Sequence, residues 1–490
     1  MDGKSKGKYI PPPMRRAMEQ GTVPDSKFAK FLSGTSERGK SEASTQWGHR
    51  DGRSGNLDDR TVAEEESLFV QNENASSVIE VYEDIPVEVV PEVVPLESFS
   101  SLGAHPELAK NLAKLNFSKP TPVQKYAIPV IKSGHNLMAC AQTGSGKTGS
   151  YLIPILARMI QNGPPAPSRR REARPVALML APTRELSQQI YTEVRKFAHR
   201  TGIRSTCVYG GADPKDQSRS LSLGCDILVA TPGRLLDFTG RGKIDLSSIV
   251  YVVIDEADRM LDMGFIPQVT SIMEQTTNAQ MVMCSATFPK EIQALAQQFL
   301  GSYTFLTVGR VGSTTENIVQ ELHYVDEHEK RVFLHERLQK LAGLVLIFVE
   351  TKRNADALVD FLFRAGYACT CIHGDRTQPE RDRALSEFKR GTKPVLVATD
   401  VASRGLDISN VANVINFDAP NNIQEYVHRI GRTGRAGKQG LAITFLTDKN
   451  RPIVKDLYSL LCECNQEVPD WLEDLYRENL SQRRGSRRRW

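Results

Sequence analysis

Twice along the chain, a set of five short apolar runs alternates with longer stretches of helical periodicity, and no other feature narrows the possible folds as much. The first set is Leu137–Ala141, Val176–Leu180, Ile227–Ala230, Val250–Ile254 and Met281–Cys284. The second is Leu344–Val349, Ala368–Ile372, Val395–Thr399, Val414–Phe417 and Ala442–Leu446, with helical patterns such as Asn354–Phe363 between them. Short runs that are apolar throughout suit strands buried on both faces, the condition of a parallel sheet covered by crossover helices. Between the sets, Gly309–Asn317 breaks the periodicity with Gly, Ser and Thr, as a linker does. The spacing therefore predicts an α/β fold of two tandem parallel-sheet domains, over residues 99–308 and 318–475, joined by a hinge at 309–317 and facing each other across a cleft.

With 490 residues and 40% apolar side chains, the chain has enough material for such cores. Residues 1–98, rich in Ser, Gly, Glu, Lys and Pro and without sustained periodicity, are expected to form a disordered N-terminal extension. Within them, the prolines of Ile85–Pro95 exclude a central strand and suggest an extended segment on a domain surface. Helical spacing begins at Leu108, Leu112 and Leu115 behind Pro106, and Asp470 with Glu473 resembles a capping box for a short last helix carrying Trp471, Leu472 and Leu475. A basic tail, 476–490, follows.

No stretch approaches the roughly eighteen apolar residues of a membrane span, and Met1–Met14 lacks a signal-peptide core, so a cytosolic or nuclear address is expected. The eight cysteines are scattered, and the pairs Cys369/Cys371 and Cys462/Cys464 lack metal-site spacing, which reads as reduced thiols. A net charge of +5 is weak evidence for a polyanionic partner, but basic clusters at Lys4–Arg16, Arg169–Arg174 and Arg483–Arg489 suit either solvated tails or non-specific phosphate binding.

Three clusters carry candidate chemistry. Ala141, Gln142, Thr143, Gly144, Ser145, Gly146, Lys147 and Thr148 follow an apolar strand and precede the helical pattern Tyr151–Ile160, the context a phosphate loop requires. Gly144 and Gly146 let backbone N–H groups turn inward, the helix start adds partial positive charge, Lys147 suits β- and γ-phosphates, and Thr148 can hold Mg²⁺. Ala141 stands where the general pattern has glycine, and a plain Gly-rich turn is the competing interpretation. In Val252–Asp258 a strand ends in three acids: beside a phosphate loop, Asp255 can hold Mg²⁺ through water and Glu256 can take a proton from an attacking water, although acids also favour a helix start. His428–Arg435 packs Arg429, Arg432 and Arg435 with a histidine among small residues, suiting arginine fingers on phosphate oxygens or a basic surface loop.

Together these residues resemble the DEAD-box RNA helicases of superfamily two, whose name spells Asp255-Glu256-Ala257-Asp258. The similarity runs from about Phe99 to Leu475 and includes, in the family's order, Pro182–Leu186, Gly210-Gly211, Thr231–Arg234, Ser285–Thr287, Ile347–Lys352, Gln378 with Arg381, Ala398–Asp400 and Arg404–Asp407. It implies two RecA-like domains, ATP and Mg²⁺ as cofactors, and RNA-stimulated hydrolysis coupled to local, non-processive duplex separation. By the same resemblance Gln124 pairs with the adenine edge, Phe117 stacks on its face, and Asp407 meets the ribose. Lys147, Asp255, Glu256, Arg432 and Arg435 carry hydrolysis, while Asp258, Ser285, Thr287 and His428 couple phosphate state to domain closure. Arg184, Gly211, Thr231, Gly233, Arg234, Thr399 and Gly405 offer the charges, hydroxyls and bare amides that grip a sugar–phosphate backbone without reading bases. The preference for RNA over DNA rests on the resemblance alone.

Within the family, Gly7–Arg16, Ile85–Glu88 and Val311–Thr314 look like the translation-initiation and Vasa-like branch, and initiation is favoured. Tyr9–Met14 is similar to the short motif by which such helicases dock on cap-binding initiation factors, with Met14 where Leu is usual. The competing functions are an RNA clamp with negligible turnover, a DNA translocase of the same superfamily, and a related helicase of ribosome biogenesis or splicing.

Overall fold

The computed structural model describes residue 69 and residues 85–142, 144–163, 172–309, 317–400, 411–434 and 439–486, with backbone alone beyond 478. The first sheet contains β1 (Val87–Val90), β2 (Asn136–Ala141), β3 (Ala177–Leu180), β4 (Ser205–Val208), β5 (Ile227–Ala230), β6 (Tyr251–Ile254), β7 (Gln280–Ser285) and β8 (Tyr303–Val308). Its order is β1-β8-β2-β7-β6-β3-β5-β4, parallel except for β1, which runs antiparallel to β8 at the margin. The second sheet contains β9 (Ile318–Tyr324), β10 (Leu344–Val349), β11 (Cys369–Ile372), β12 (Val395–Thr399), β13 (Val411–Asn416) and β14 (Gly440–Leu446). Its order is β11-β12-β10-β13-β14-β9, parallel throughout. Two tandem parallel-sheet domains are thus the observed architecture.

Side chains alternate across each sheet with period two, and both faces are apolar, which is why helices must cover both. In the first sheet Ala139, Met179, Val229 and Val253 join one core, while Met138, Leu178, Leu228 and Val252 join the other. In the second, Ile347 and Val397 face one core, and Leu346 and Leu396 the opposite one. Each fully buried aliphatic side chain of this kind contributes about 1.5–3 kcal/mol against exposure. The helix Lys147–Gln161 shows the fit: it buries Tyr151, Leu152, Ile155, Leu156 and Met159 and is entered through Gly146, whose φ of 93° an L side chain resists.

Three features differ from the expectation. Residues 85–98, placed in the disordered extension, are part of the first domain: Val87–Val90 pairs with β8 through the register Val87↔Val308 to Val90↔Phe305. Proline does bar this segment from the sheet interior, but a margin needs only one hydrogen-bonding side. Strands β4, β8 and β9 went unread because they are not continuously buried; β9 alternates buried positions with exposed or half-exposed ones. The last helix is longer than expected, Asp470–Ser486, because good helix formers continue past Leu475. Most of the N-terminal extension, most of the linker, and the basic clusters Lys4–Arg16 and Arg169–Arg171 lie outside the described residues.

Candidate functional site

In parallel sheets the loops after the strands gather at one edge, and the order of the first sheet sorts them. The β2 and β7 loops lie on one side of β6, and the β3, β5 and β4 loops on the other. The acidic segment that ends β6 therefore stands between a phosphate-loop cluster and a second cluster of basic and small residues.

On the first side, β2 ends at Ala141 and the helix starts at Lys147. The buried Lys147 ammonium points back into the loop, donating to the Ala141 carbonyl and, at 3.0 Å, to that of Gln142. Ser145 Oγ donates to the same Gln142 carbonyl at 2.8 Å. Gln124 braces the loop from below: its Nε2 donates to the Gly146 carbonyl at 3.1 Å, while its Oε1 accepts from Thr121 N at 3.1 Å. A Cβ built on Gly146 would stand 2.7 Å from Gln124 Nε2, so this close approach requires glycine. Phe117 lies edge-on to Phe99 and Phe197 and reaches the helix at Gly149. Thr148 occupies the first helical turn, half-buried, and Thr143 lies outside the described residues.

Asp255 is buried beside this loop. Burial raises its carboxyl to about 6, against the opposing pull of the Lys147 charge. Tyr151 Oη donates to its Oδ2 at 2.9 Å and Glu256 N to its Oδ1 at 2.9 Å. Glu256 sits at φ 50° in the left-handed region, and its buried Oε2 has no hydrogen-bond partner. Two neighbouring carboxylates, one driven upward by desolvation and one with an orphaned oxygen, fit a hydrated divalent cation next to phosphates. Thr148 and Asp255 are the side chains that would hold it.

Asp258 accepts on Oδ2 from Thr287 Oγ1 at 3.0 Å, Thr287 N at 3.1 Å, Ala286 N at 3.2 Å and, from the second domain, His428 Nε2 at 3.2 Å, while Arg259 N donates to its Oδ1 at 3.0 Å. Burial would raise this carboxyl, but His428, Arg259 and the Ser285 hydroxyl outweigh it and hold it well below the ordinary value. Burial and the Arg259 charge keep the His428 ring below its usual value, so it acts as a neutral donor through Nε2 with Nδ1 unpartnered. His428 arrives on the helix Ile423–Ile430, whose continuation carries the buried Arg432. Thr433 Oγ1 anchors that turn to the carbonyls of Val411 (2.7 Å) and Ala412 (2.9 Å), and a Cβ on Gly440 would stand 2.2 Å from the same oxygen. Arg435 lies outside the described residues.

On the other side of β6, Arg184 stacks 4.5 Å over the Tyr209 ring, beside Gly211. Gln217 bonds both backbone groups of Tyr209 and accepts from Arg234 at 3.1 Å. Thr231 and Gly233 open the helix Pro232–Gly240 that carries Arg234. The second domain contributes the buried Thr399 at the end of β12; Gly405 and Asp407 lie outside the described residues. Here too the domains touch: Arg381 pairs with Glu185 at 2.6 Å, and Asp382 approaches Arg184 at 3.9 Å.

The family description "DEAD/DEAH box helicase" matches residues 121–295, and "Helicase conserved C-terminal domain" matches 329–437. This chain belongs to the DEAD-box helicases. A similar solved structure is that of Saccharomyces cerevisiae Dbp5 bound to RNA and ADP BeF3, 30% identical, covering 78% of this helicase and 100% of that chain with a TM-score of 0.65. A second is a variant of S. cerevisiae Dbp5 bound to a Gle1 variant and IP6, 30% identical, covering 80% of this helicase and 99% of that chain with a TM-score of 0.59. At the family level these are ATP-dependent RNA helicases.

In this helicase the described residues of the phosphate loop, the β6 acids and the Ser285–Thr287 turn are brought together, and Arg184, Gly211, Thr231, Gly233 and Arg234 of the first domain lie on the other side of β6. Both ends of the Gln124 amide are engaged by backbone within the protein, at Thr121 N and the Gly146 carbonyl. Two organising residues escaped sequence reasoning, and a third, Arg429, was grouped with the arginine fingers. Tyr151 reads as core on an apolar helix, yet it holds Asp255; Gln217 reads as helix surface, yet it orients Tyr209 and Arg234. Arg429 is a structural brace, bonded to Asp400 and to the Asp418 carbonyl (2.6 Å) over the Phe348 ring. Only Arg429 left a signal, as the third arginine in the His428–Arg435 cluster.

Proposed function

We propose that this chain is an RNA-stimulated ATPase that separates short RNA duplexes locally and non-processively, in the service of translation initiation. The observation that carries the enzymatic part is the contact of His428 with Asp258, because it ties the acids beside the phosphate loop to the domain that bears the buried Arg432. ATP is held by the loop Ala141–Thr148, with Phe117 and Gln124 at its base and Asp407 at its ribose. Release of Gln124 from Gly146 frees the amide to meet adenine. Thr148 and Asp255 would hold Mg²⁺, which would supply charge neutralisation beside the phosphates. Lys147 neutralises the transferred phosphate, Glu256 takes a proton from the attacking water, and Arg432 with Arg435 stabilises the charge that develops.

Arg184, Gly211, Thr231, Gly233, Arg234, Thr399 and Gly405 grip one strand through its backbone, so binding is largely independent of sequence. The RNA and ADP BeF3 bound to the related Dbp5 support this substrate class. Translation initiation rests on the sequences Gly7–Arg16, Ile85–Glu88 and Val311–Thr314, contact with cap-binding factors rests on Tyr9–Met14, and a cytoplasmic address goes with that role. The decisive assay is phosphate release with Mg²⁺ and ATP, alone and with homopolymeric RNA or DNA of equal length. Stimulation by RNA alone is expected. Equal stimulation by DNA removes the RNA preference, and no stimulation by either removes the enzymatic proposal.

A further inference from the structure

At the marginal strand β11, the second domain holds a group of donors that none of this chemistry uses. Cys371 and His373 alternate along β11 and its extension, both buried, and Asp356 faces them from the helix Lys352–Arg364. His373 Nε2 stands 3.1 Å from Asp356 Oδ1, and Cys371 Sγ stands 3.6 Å from the same oxygen. All three donor atoms lie within 4.8 Å of one another, and no other such group converges this closely among the described residues.

The two spacings to Asp356 Oδ1 are close to edges of a coordination polyhedron. Bond lengths of about 2.0 Å to nitrogen and oxygen and about 2.3 Å to sulfur give tetrahedral edges of about 3.3 Å between N and O and about 3.5 Å between S and O. The group also already encloses a positive charge. Arg376 donates from one terminal nitrogen to Asp356 Oδ1 at 2.8 Å and to Cys371 Sγ at 3.2 Å, and from Nε to His373 Nε2 at 3.2 Å. A His373 Nε2–H donating to Asp356 satisfies the 3.1 Å approach in the absence of an ion, and a bound ion would take the place of that proton as well as of Arg376. A cavity of about 360 Å³, lined by Cys369, Cys371, Arg376 and Glu380 among others, opens beside the cluster.

We propose that Asp356, Cys371 and His373 form a site for a thiophilic divalent cation of the Zn²⁺ class, bound by displacement of the Arg376 guanidinium. Cys371 gives up its thiol proton to solvent on binding, and water completes the fourth position. The bound ion replaces Arg376 as the brace between β11 and the helix Lys352–Arg364. Spacing rules miss the site because its third donor comes from a helix fifteen residues upstream of Cys371.

The full-length, nucleotide-free chain is titrated with Co²⁺, and the sulfur-to-cobalt charge-transfer band in the near ultraviolet is followed. A saturable band is expected in the wild type and not in C371S. D356N and H373Q are expected to weaken binding about tenfold or more, and R376Q to tighten it about tenfold by removing the competing cation. C462S, at an exposed thiol, should leave the band unchanged. Circular dichroism establishes that each variant is folded, and D356N, half-exposed, decides the question should C371S fail to fold. No band in either the wild type or R376Q, a full-strength band in C371S, wild-type affinity in a folded D356N, or unaltered affinity in R376Q would each overturn the proposal.

Discussion

Asp258→Asn removes the charge on which four donors converge while leaving shape nearly unchanged. The carboxylate oxygen accepts from Ala286 N, Thr287 N, Thr287 Oγ1 and His428 Nε2. Hydrogen bonds to a charged group are each worth about 1.5–3 kcal/mol and do not add in full, and an inserted NH₂ meets donors in place of an acceptor. A loss of about 3 kcal/mol of unfolding free energy at pH 7 is expected. Its pH dependence distinguishes lost charge from mere misfit. The folded carboxyl lies below the ordinary aspartate value of 3.8, so its stabilisation is complete above that value and is lost as pH falls towards the folded one. At pH 3 most unfolded chains hold the proton, and the gap between wild type and variant should narrow by about 1 kcal/mol. Urea titrations at pH 7, 5 and 3 measure this. A gap under about 0.5 kcal/mol at pH 7, or one that stays constant down to pH 3, would refute an ionised Asp258 as the hub of this turn.

Arg432→Ala should slow RNA-stimulated turnover by roughly a thousandfold or more, as loss of an arginine finger does, with little change in ATP binding; steady-state kinetics with a fluorescent nucleotide titration separate the two. Charge reversal at the Glu185–Arg381 pair tests the second contact between the domains. Arg381→Glu is expected to lower RNA-stimulated turnover at least tenfold, and Glu185→Arg added to it should restore a measurable part. A double variant no better than the single one would show that this pair does not assist closure.

The architecture was legible because parallel strands buried on both faces, such as β5 and β10, leave uninterrupted apolar runs. Strand β9 alternates buried and exposed side chains, and β1 is punctuated by proline at the sheet margin, so neither leaves that signature. At the site, motif residues were legible where glycine geometry or clustered charge betrays them, as in Ala141–Thr148 and the acids of β6. Tyr151 was hidden because a buried tyrosine on an apolar helix looks the same whether its hydroxyl is idle or holds a carboxylate. The cross-domain partners of Asp258 and Glu185 leave no local pattern: His428 lies 170 residues from Asp258, and only the family resemblance set those two in one coupling group.

The strand order gives those two contacts a shared consequence. The acids that end β6 stand between the β2 and β7 loops on one side and the β3, β5 and β4 loops on the other. The second domain touches the first on both sides, through His428 to Asp258 and through Arg381 to Glu185. A rigid domain that closes onto one side therefore presents its residues to the other. On the proposed function, whatever free energy ATP contributes to closure is available to RNA binding, and the reverse holds by the same amount. Arg184 is stacked on Tyr209 and 3.9 Å from Asp382, so a phosphate bound by it competes with a carboxylate of like charge for the same guanidinium. The two ligands are then linked through domain geometry, with no need for a chain of contacts running between them.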